Sequence, residues 1–384
     1  MKKILVIDGS SIIHRAYYGV RPLSTKSGKP TNAIYGMVNM ISRQLDTVKP
    51  DYAAVAFDLK TPTFRHKLYP EYKAGRRPTP EDLVAQFDDA KEVLRAMGLH
   101  ILTLEGYEAD DIQGTVAHMA HDVPDTESFV FSGDRDLLQL IDDKITVLLA
   151  TNTDTLPMHE EEFRAKYGIP SSEFVDMKAL MGDSSDNIPG VAGIGEKTAA
   201  GLIAAFGTLE GIYEHIDDPT IKKGVREKLL ADRETAFLSR TLSRIDTAVP
   251  LPLTLGDLAY SGIDKAALYR KFTELELNSF IVKFGLHKED IEEKSEEKQE
   301  ESETIVDISE LPQNLSAKKQ VALLEENGEL FLSDGIESYR FTGELCALAP
   351  LLSGERDLLT FEGKHLWHKL TDAGCTISGE VRFL

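Results

Sequence analysis

An α/β fold, with a central, mostly parallel sheet covered by helices on both faces, is predicted for the opening 175 residues of this 384-residue chain. Three observations predict it and the units that follow. From Lys2 to about Ile169, short β-rich apolar runs alternate with amphipathic stretches, the pattern of βαβ units. From about Met177 to Leu286 the pattern turns helical, rich in Ala, Leu, Lys and Glu and punctuated by Gly and Pro. Residues 288–303 then carry nine acids against three lysines with no apolar face, the composition of a solvated linker or an exposed helix. Strand-like runs return over 304–384. The expected domains are therefore 1–175, 176–287 and 304–384, with the linker at 288–303.

Strands are expected at 3–8, 52–57, 99–104, 128–132 and 145–149, each a short apolar run bounded by polar or turn-forming residues. Helical spacing of apolar residues covers 33–48, 80–97 and 112–120, and Pro80 suits a first-turn position. In the last unit, Asn327 and Gly328 are expected to form a hairpin turn between 321–324 and 329–332. The apolar run after Met1 stops at Asp8, too early for a signal peptide, and no segment approaches the length of a membrane span. Cys346 and Cys375 lie far from any His or Cys at ligand spacing, which argues against a disulfide framework or a zinc site. A reducing cytoplasm is the expected location.

The formal net charge of −21 weighs against a nucleic-acid partner, because polyanion binding rests on Lys and Arg neutralising phosphates. Its distribution matters more. Residues 60–77 hold six Lys or Arg against Glu71 alone, so local charge should set the partner.

Nine carboxylates stand out: Asp8, Asp58, Glu108, Asp110, Asp111, Asp134, Asp136, Asp183 and Asp186. Asp8, Asp58 and Asp134 directly follow apolar runs; if those runs are parallel strands, their acids converge at the carboxyl edge, where open α/β sheets bind ligands. Glu108, Asp110 and Asp111 precede a helix. One acid there is a cap, but three exceed what capping needs. The i, i+2 spacing of Asp134 and Asp136 puts both on one side of an extended segment. The i, i+3 spacing of Asp183 and Asp186 puts both on one face of a helical turn. Gathered acids repel and raise one another's pKa, a cost that a divalent cation relieves. Magnesium takes one or two carboxylates directly and keeps several waters, so this many acids imply two ions or a large outer shell. Two hard cations about 4 Å apart serve in-line displacement at phosphorus, hence phosphodiester hydrolysis. Calcium is the competing metal, although no segment has EF-hand spacing.

Two further segments fit a phosphate-bearing polymer. Over 69–80, Tyr69 and Tyr72 interleave with Lys73, Arg76 and Arg77, a platform for stacked bases with a funnel for phosphates. Lys73 or Arg76 is also placed to stabilise charge on a scissile phosphate. Residues 187–199 (NIPGVAGIGEKTA) resemble a nucleotide P-loop but fail its spacing, since Glu196 separates Gly195 from Lys197. Gly190, Gly193 and Gly195 before a helix leave bare amides as a phosphate clamp, reinforced by Lys197 and Thr198. A plain exposed loop and a plain helix–helix turn remain the simpler alternatives.

The order of these motifs resembles the 5′-nuclease domain of bacterial DNA polymerase I, a relative of the flap endonucleases, over about residues 1–287. The resemblance implies a flap-nuclease-like sheet, a helical arch near 61–83 and a helix-hairpin-helix DNA-binding subdomain at 176–287. It implies two Mg²⁺ ions, with Mn²⁺ as a substitute. Asp8, Asp58, Glu108, Asp110 and Asp111 would surround the first, and Asp134, Asp136, Asp183 and Asp186 the second. Asp8, Asp58, Asp110 and Asp134, with Lys73 and Arg76, are the expected catalytic set. Arg15, Tyr72, Lys73 and Arg76 would handle the 5′ strand, while Gly190, Gly193, Gly195, Lys197 and Thr198 would hold duplex and, through backbone carbonyls, K⁺. Residues 304–384 look like the first part of that polymerase's 3′–5′ exonuclease-like domain. They lack the Asp-x-Glu pair of an active site, so an inactive or partial unit is expected, without the polymerase module.

The function this implies is a structure-selective 5′–3′ exonuclease and flap endonuclease. Its expected substrates are 5′ flaps, nicks and RNA–DNA primer junctions in lagging-strand maturation and repair. It is expected to act as a monomer in the bacterial cytoplasm at the nucleoid, with no membrane partner and with a DNA polymerase module as a candidate partner. A PIN-like endoribonuclease and an inert DNA-binding module are the rival readings. The first is distinguished by its RNA substrate, the second by metal-independent binding without cleavage.

Overall fold

The computed structural model describes residues 1–151, 154–290, 306–311, 315, 320–326, 329–333, 337–352, 356–360, 368–369, 371–374 and 381–383. The chain divides into two compact units, 1–291 and 292–384. Most of the acidic stretch at 288–303, the Asn327–Gly328 turn and Cys375 lie outside the described residues.

The first unit opens with β1 (Lys2–Asp8), α1 (Gly9–Gly19), α2 (Asn32–Val48), β2 (Tyr52–Ala56) and α3 (Phe64–Leu68). It continues through α4 (Glu81–Val84), α5 (Phe87–Ala96), β3 (His100–Leu102), α6 (Ala109–Asp122) and β4 (Thr126–Ser132). After β5 (Ile145–Ala150) and β6 (Thr155–Met158) come α7 (Glu160–Tyr167), α8 (Phe174–Met181), α9 (Glu196–Phe206), α10 (Leu209–Glu214) and α11 (Lys223–Ala231). α12 (Arg233–Ser243), α13 (Lys265–Glu274) and α14 (Asn278–Lys283) complete it.

The sheet runs β3-β2-β1-β4-β5-β6, parallel except for antiparallel β6. Strand periodicity explains its two cores. Ile4 and Val6 of β1 pack with Ile112 and Val116 of α6, whereas Leu5 and Ile7 pack with Ile12, Ile13 and the buried residues of α2 and α5. The chain moves from β1 outward to β2 and β3, then returns to place β4 on the other side of β1. The acids after β1 and β4 thus flank the switch point of the sheet, where ligands bind.

Besides α1 and α7, for which no helix was expected, the structure differs from the expected elements in three places. β6 was not expected; Pro157 lies within it, and proline is tolerated there because the strand is an edge. The helix expected over 80–97 is broken between α4 and α5 at Gln86, which is fully buried. Its Oε1 accepts from the amides of Ala33 (2.9 Å) and Ile34 (3.3 Å), and its Nε2 donates to Asn32 Oδ1 (3.1 Å). A residue from another element thereby caps the start of α2, which has no side-chain cap of its own at Thr31. The stretch expected as a helical arch near 61–83 is helical only in α3 and α4; residues 70–75 form turns and 76–80 are irregular.

In the second unit, β7 (Val306–Ile308), β8 (Gln320–Glu326), β9 (Glu329–Ser333), β10 (Ser338–Phe341), β11 (Arg356–Leu359) and β12 (Val381–Phe383) form a mixed sheet in the order β12-β11-β8-β9-β10-β7. β8 and β9 pair antiparallel with Glu326 opposite Glu329, as the expected hairpin requires. Val321, Leu323, Leu330, Leu332, Tyr339 and Phe341 make its core.

Candidate functional site

Asp8 closes β1 and caps α1, accepting from the Ser11 amide at 2.8 Å. Ser132 at the end of β4 donates its hydroxyl to the other Asp8 oxygen at 2.7 Å. Ser132 Oγ also accepts from the Asp134 amide at 2.9 Å. Ser10 and Ser11 fasten the neighbouring loops, since Ser10 Oγ accepts from the Asp58 amide (3.1 Å) and Ser11 Oγ from the Gly133 amide (3.2 Å). Gly9 permits this approach: a Cβ there would lie 2.5 Å from the Phe57 ring. Asp58 in turn accepts from the Ala109 amide at the first turn of α6, at 2.9 Å.

Four acids form the centre of the site: Asp8, Asp58, Asp110 and Asp134. Among the described residues none of them forms an ion pair. Burial pushes the Asp8 carboxyl up to about 7, against the opposing hydrogen bonds from Ser11 and Ser132, and the charges of Asp58 and Asp134 push the same way. Burial likewise raises Asp110 well above the usual carboxylate range, reinforced by Asp8, Asp134 and Asp58. The only three metal-capable groups whose ligand atoms converge within 4.8 Å, among the described residues, lie elsewhere, at His118, His121 and Asp142. No three of the central acids bring their oxygens that close together, although their charges act on one another. An all-oxygen set of crowded carboxylates fits hard divalent cations such as Mg²⁺.

The other five acids each have a basic partner, which divides the nine differently from the expected two groups. Asp136 and Asp183 share Lys178, which is 2% exposed on α8; its ammonium lies 2.7 Å from Asp183 Oδ2. Burial raises Asp136 to about 6 against the pull of Lys178, with Asp134 and Asp183 adding to the rise. For Asp183 the balance reverses: burial is overcome by Lys178 and the Ser185 hydrogen bonds, which hold it near 2. Asp111 has no exposed surface, and its two oxygens take a bidentate pair from Arg65 at 2.7 and 2.8 Å. The amides of Glu108 and Asp246 complete its shell at 3.0 and 2.9 Å. Asp111, expected among the acids around the first ion, has four hydrogen bonds on its two oxygens, and these anchor α6 to the segment after α12.

Glu108 and Asp186 are held by the basic loop. The Tyr72 hydroxyl bridges Glu108 (2.9 Å) and Asp186 (3.1 Å). The Lys73 ammonium lies 2.8 Å from Glu108 and 3.8 Å from Asp186, and Arg76 pairs with Asp186. The loop is sewn down by the backbone as well, with the Lys73 amide donating to the Asp186 carbonyl at 2.8 Å. Lys73 itself has a left-handed φ of 57°, a strained conformation for a residue with a Cβ. Tyr72 is 4% exposed against Ile188 and Leu242, so it is no stacking platform in this arrangement. Its hydroxyl organises carboxylates instead.

Local geometry corrects two spacing arguments. Asp134 and Asp136 do not share a side of an extended segment: Asp136 opens a 3₁₀ turn, and its amide donates to Asp134 Oδ1 at 2.9 Å. Asp183 and Asp186 lie in a turn closed by two backbone bonds between Asp183 and Ile188 (2.9 and 2.8 Å), so they face Lys178 and the basic loop respectively. Capping also claims more acid than the spacing implied, because Glu108 and Asp111 form a reciprocal capping box on α6.

The hairpin lies between α8 and α9. Gly190 has φ 62°, and a Cβ there would lie 2.3 Å from the Gly182 amide nitrogen, so only glycine fits. Gly193, Gly195 and Lys197 are exposed, and Thr198 is half-buried in the first turn of α9. The Gly193 carbonyl accepts from the Lys228 ammonium at 3.0 Å, so a side-chain cation already meets one of the carbonyls expected to hold K⁺. Arg15, on α1, lies against Gly133 at the rim of the acid cluster. Arg65 and Lys178, which link the acids to other elements, were missed from sequence. A lysine in the mostly apolar FVDMKALM run of α8 was the available signal for one; Arg65 lay in the basic stretch 60–77, with nothing to single it out from the other cations there.

Residues 3–168 match the family described as 5′-3′ exonuclease, N-terminal resolvase-like domain, and residues 169–266 match 5′-3′ exonuclease, C-terminal SAM fold. A DNA polymerase I of Caldicellulosiruptor bescii is 35% identical over 379 residues, 96% of this chain and 44% of the relative. A DNA polymerase I of Bacillus caldotenax is 44% identical over 287 residues, 73% of this chain and 32% of the relative. The chain thus spans less than half the length of these curated relatives. Among solved structures, T5 5′-exonuclease with bound zinc ions is 24% identical at a TM-score of 0.54, covering 71% of this chain and 98% of that one. The bacteriophage T5 flap endonuclease in a pseudo-enzyme–product complex with DNA and metal ions gives 24% identity, a TM-score of 0.53 and the same coverage. At that identity the likeness concerns the fold.

Proposed function

This chain belongs to the 5′–3′ exonuclease family, and from that premise we propose that it is a Mg²⁺-dependent 5′–3′ exonuclease and flap endonuclease. Its substrates are phosphodiesters at 5′ flaps, nicks and RNA–DNA primer junctions. The observation that carries the reading is the set of four carboxylates without ion-pair partners, Asp8, Asp58, Asp110 and Asp134, gathered at the carboxyl edge of the sheet. Residues 1–175 supply the chemistry and residues 176–287 the grip on duplex. Divalent cations held by the four acids would supply Lewis acidity and an activated water.

The side chains divide the remaining work. Lys73 and Arg76, now paired with Glu108 and Asp186, are placed to transfer to a scissile phosphate entering beside those acids, where a cation's charge stabilises the transition state. Exposed amides at Gly193 and Gly195, with Lys197 on α9, suit sequence-independent contact with the phosphate backbone. Lys178 holds Asp136 and Asp183 together, so those two acids position the outer part of the site. Arg15 is placed for the strand entering along α1.

Incubating a 5′-flap duplex with the full chain and Mg²⁺ tests this. Cleavage is expected, with a loss of more than about 100-fold in Asp134→Ala and retained flap binding. An unchanged rate in that variant, or no cleavage by the parent, would exclude the proposal. Comparing flap DNA with single-stranded RNA separates it from the endoribonuclease reading.

A further inference from the structure

The far end of α6 carries a second group of metal-ligating side chains. His118 and His121 are three positions apart in a helix, which places them on one face, and their ring centroids are 5.4 Å apart with planes inclined at 41°. Asp142 joins them from the segment before β5, its Oδ2 2.9 Å from His121 Nε2. One ligand atom from each of the three lies within 4.8 Å of the others. At 1.5 Å per residue, about 12 Å of helix separates Asp110 from His118, so the trio is distinct from the catalytic carboxylates.

A plain ion pair between Asp142 and an imidazole at the negative end of the helix accounts for His121. It does not account for His118 or for how the three groups are held. His118 Nδ1 lies 2.8 Å from the Gly114 carbonyl. A carbonyl only accepts, so Nδ1 is the donor in this bond, and Nε2 is the ring nitrogen left for a metal. Asp142 Oδ1 accepts from the amides of Lys144 (2.8 Å) and Ile145 (2.9 Å), which aims Oδ2 at His121. Backbone groups that fix an imidazole and a carboxylate in this way form the outer shell that orients metal ligands.

We propose that His118 Nε2, His121 Nε2 and Asp142 Oδ2 bind one zinc ion that staples the end of α6 to the segment leading into β5. Two imidazoles and one carboxylate suit a borderline cation, whereas the all-oxygen catalytic set suits Mg²⁺. Zinc bonds of about 2.0–2.2 Å in a tetrahedron put ligand atoms roughly 3.3 Å apart. The His121–Asp142 pair opens a little and the wider separations close, movements within reach of surface side-chain rotation. The fourth position stays open to water. No cysteine takes part, so the cysteine pattern of the sequence does not bear on this site.

Equilibrium dialysis of the chelator-stripped full chain against Zn²⁺, in excess Mg²⁺, tests the proposal. The His118→Ala/His121→Ala variant is expected to bind one Zn²⁺ fewer than the parent, and the Asp8→Asn/Asp134→Asn variant to keep it. With Co²⁺ as the probe, the visible absorption of a tetrahedral site should appear in the parent and vanish in the histidine variant, whose circular dichroism checks that it is folded. Equal Zn²⁺ stoichiometry in parent and histidine variant overturns the proposal. So does loss of that Zn²⁺ in the carboxylate variant alone, because it would put the ion among the catalytic acids.

Discussion

At the scale of single residues, one kind of side chain serves two purposes in this site. Asp8, Asp58, Asp110 and Asp134 stay without cationic partners and carry the cost of crowding, while Asp111 is neutralised by Arg65 and locks α6 in place. The difference lies in which basic residue the fold brings near, and spacing along the chain does not reveal that. Lys73 is the most informative position to alter. It spans Glu108 and Asp186 through 2.8 and 3.8 Å contacts, so its ammonium is held between two carboxylates. Lys73→Ala is expected to lower flap turnover by roughly 100-fold, in the range of removing one transition-state charge contact, and to change flap binding much less. Measuring kcat and Kd separately decides it: a larger effect on Kd would make Lys73 a docking residue.

At the scale of elements, β1 to β5 follow from apolar runs whose interiors are buried on both sheet faces, and each observed strand lies within three residues of its expected bounds at either end. β6 and the break between α4 and α5 do not follow, because both depend on a neighbour. Edge position makes Pro157 acceptable, and the unpaired amides of α2 recruit Gln86. Replacing that side chain leaves two buried donors, the Ala33 and Ile34 amides, without an acceptor. Gln86→Ala is therefore expected to cost about 2–3 kcal/mol, read as a lower urea midpoint at unchanged slope. A Gln86→Glu variant keeps the acceptor but sets an oxygen against Asn32 Oδ1 and the Asp82 carbonyl in a fully buried place, so it should not restore the parent's midpoint.

At the scale of the whole molecule, the first unit is tied together between distant parts of the sequence. Asp89 on α5 takes Lys29 at 2.7 Å and Lys271 on α13 at 2.9 Å. Burial alone would raise the Asp89 pKa, but these two ammonium groups outweigh it and hold the carboxyl below its ordinary value of 3.8. A depressed acid contributes stability above its unfolded pKa and loses it as pH falls through the folded one. The melting-temperature difference between the parent and Asp89→Asn should then be about that of 1 kcal/mol at pH 7, and it should shrink below pH 3.8. A difference that is the same at pH 7 and pH 3 would show that the clamp acts through packing. No helix among the described residues is long and apolar enough to cross a membrane.

The sequence by itself determined strands β1 to β5, the helical region after them, the positions of the acids at strand ends and helix starts, and the glycine turn before α9. Those features rest on local period, on strand ends and on turn chemistry, all of which are written in neighbouring residues. Only the tertiary structure decided how the acids divide. Arg65, Lys178, Tyr72 and Lys73 come from separate segments, and the range of ion pairing is a few ångströms in space rather than a few positions in the chain. It also decided that the basic loop rests on Glu108 and Asp186, and that two histidines and Asp142 meet at the far end of α6. Each of these depends on where parallel strands and their crossover helices bring distant residues, which a one-dimensional pattern does not specify.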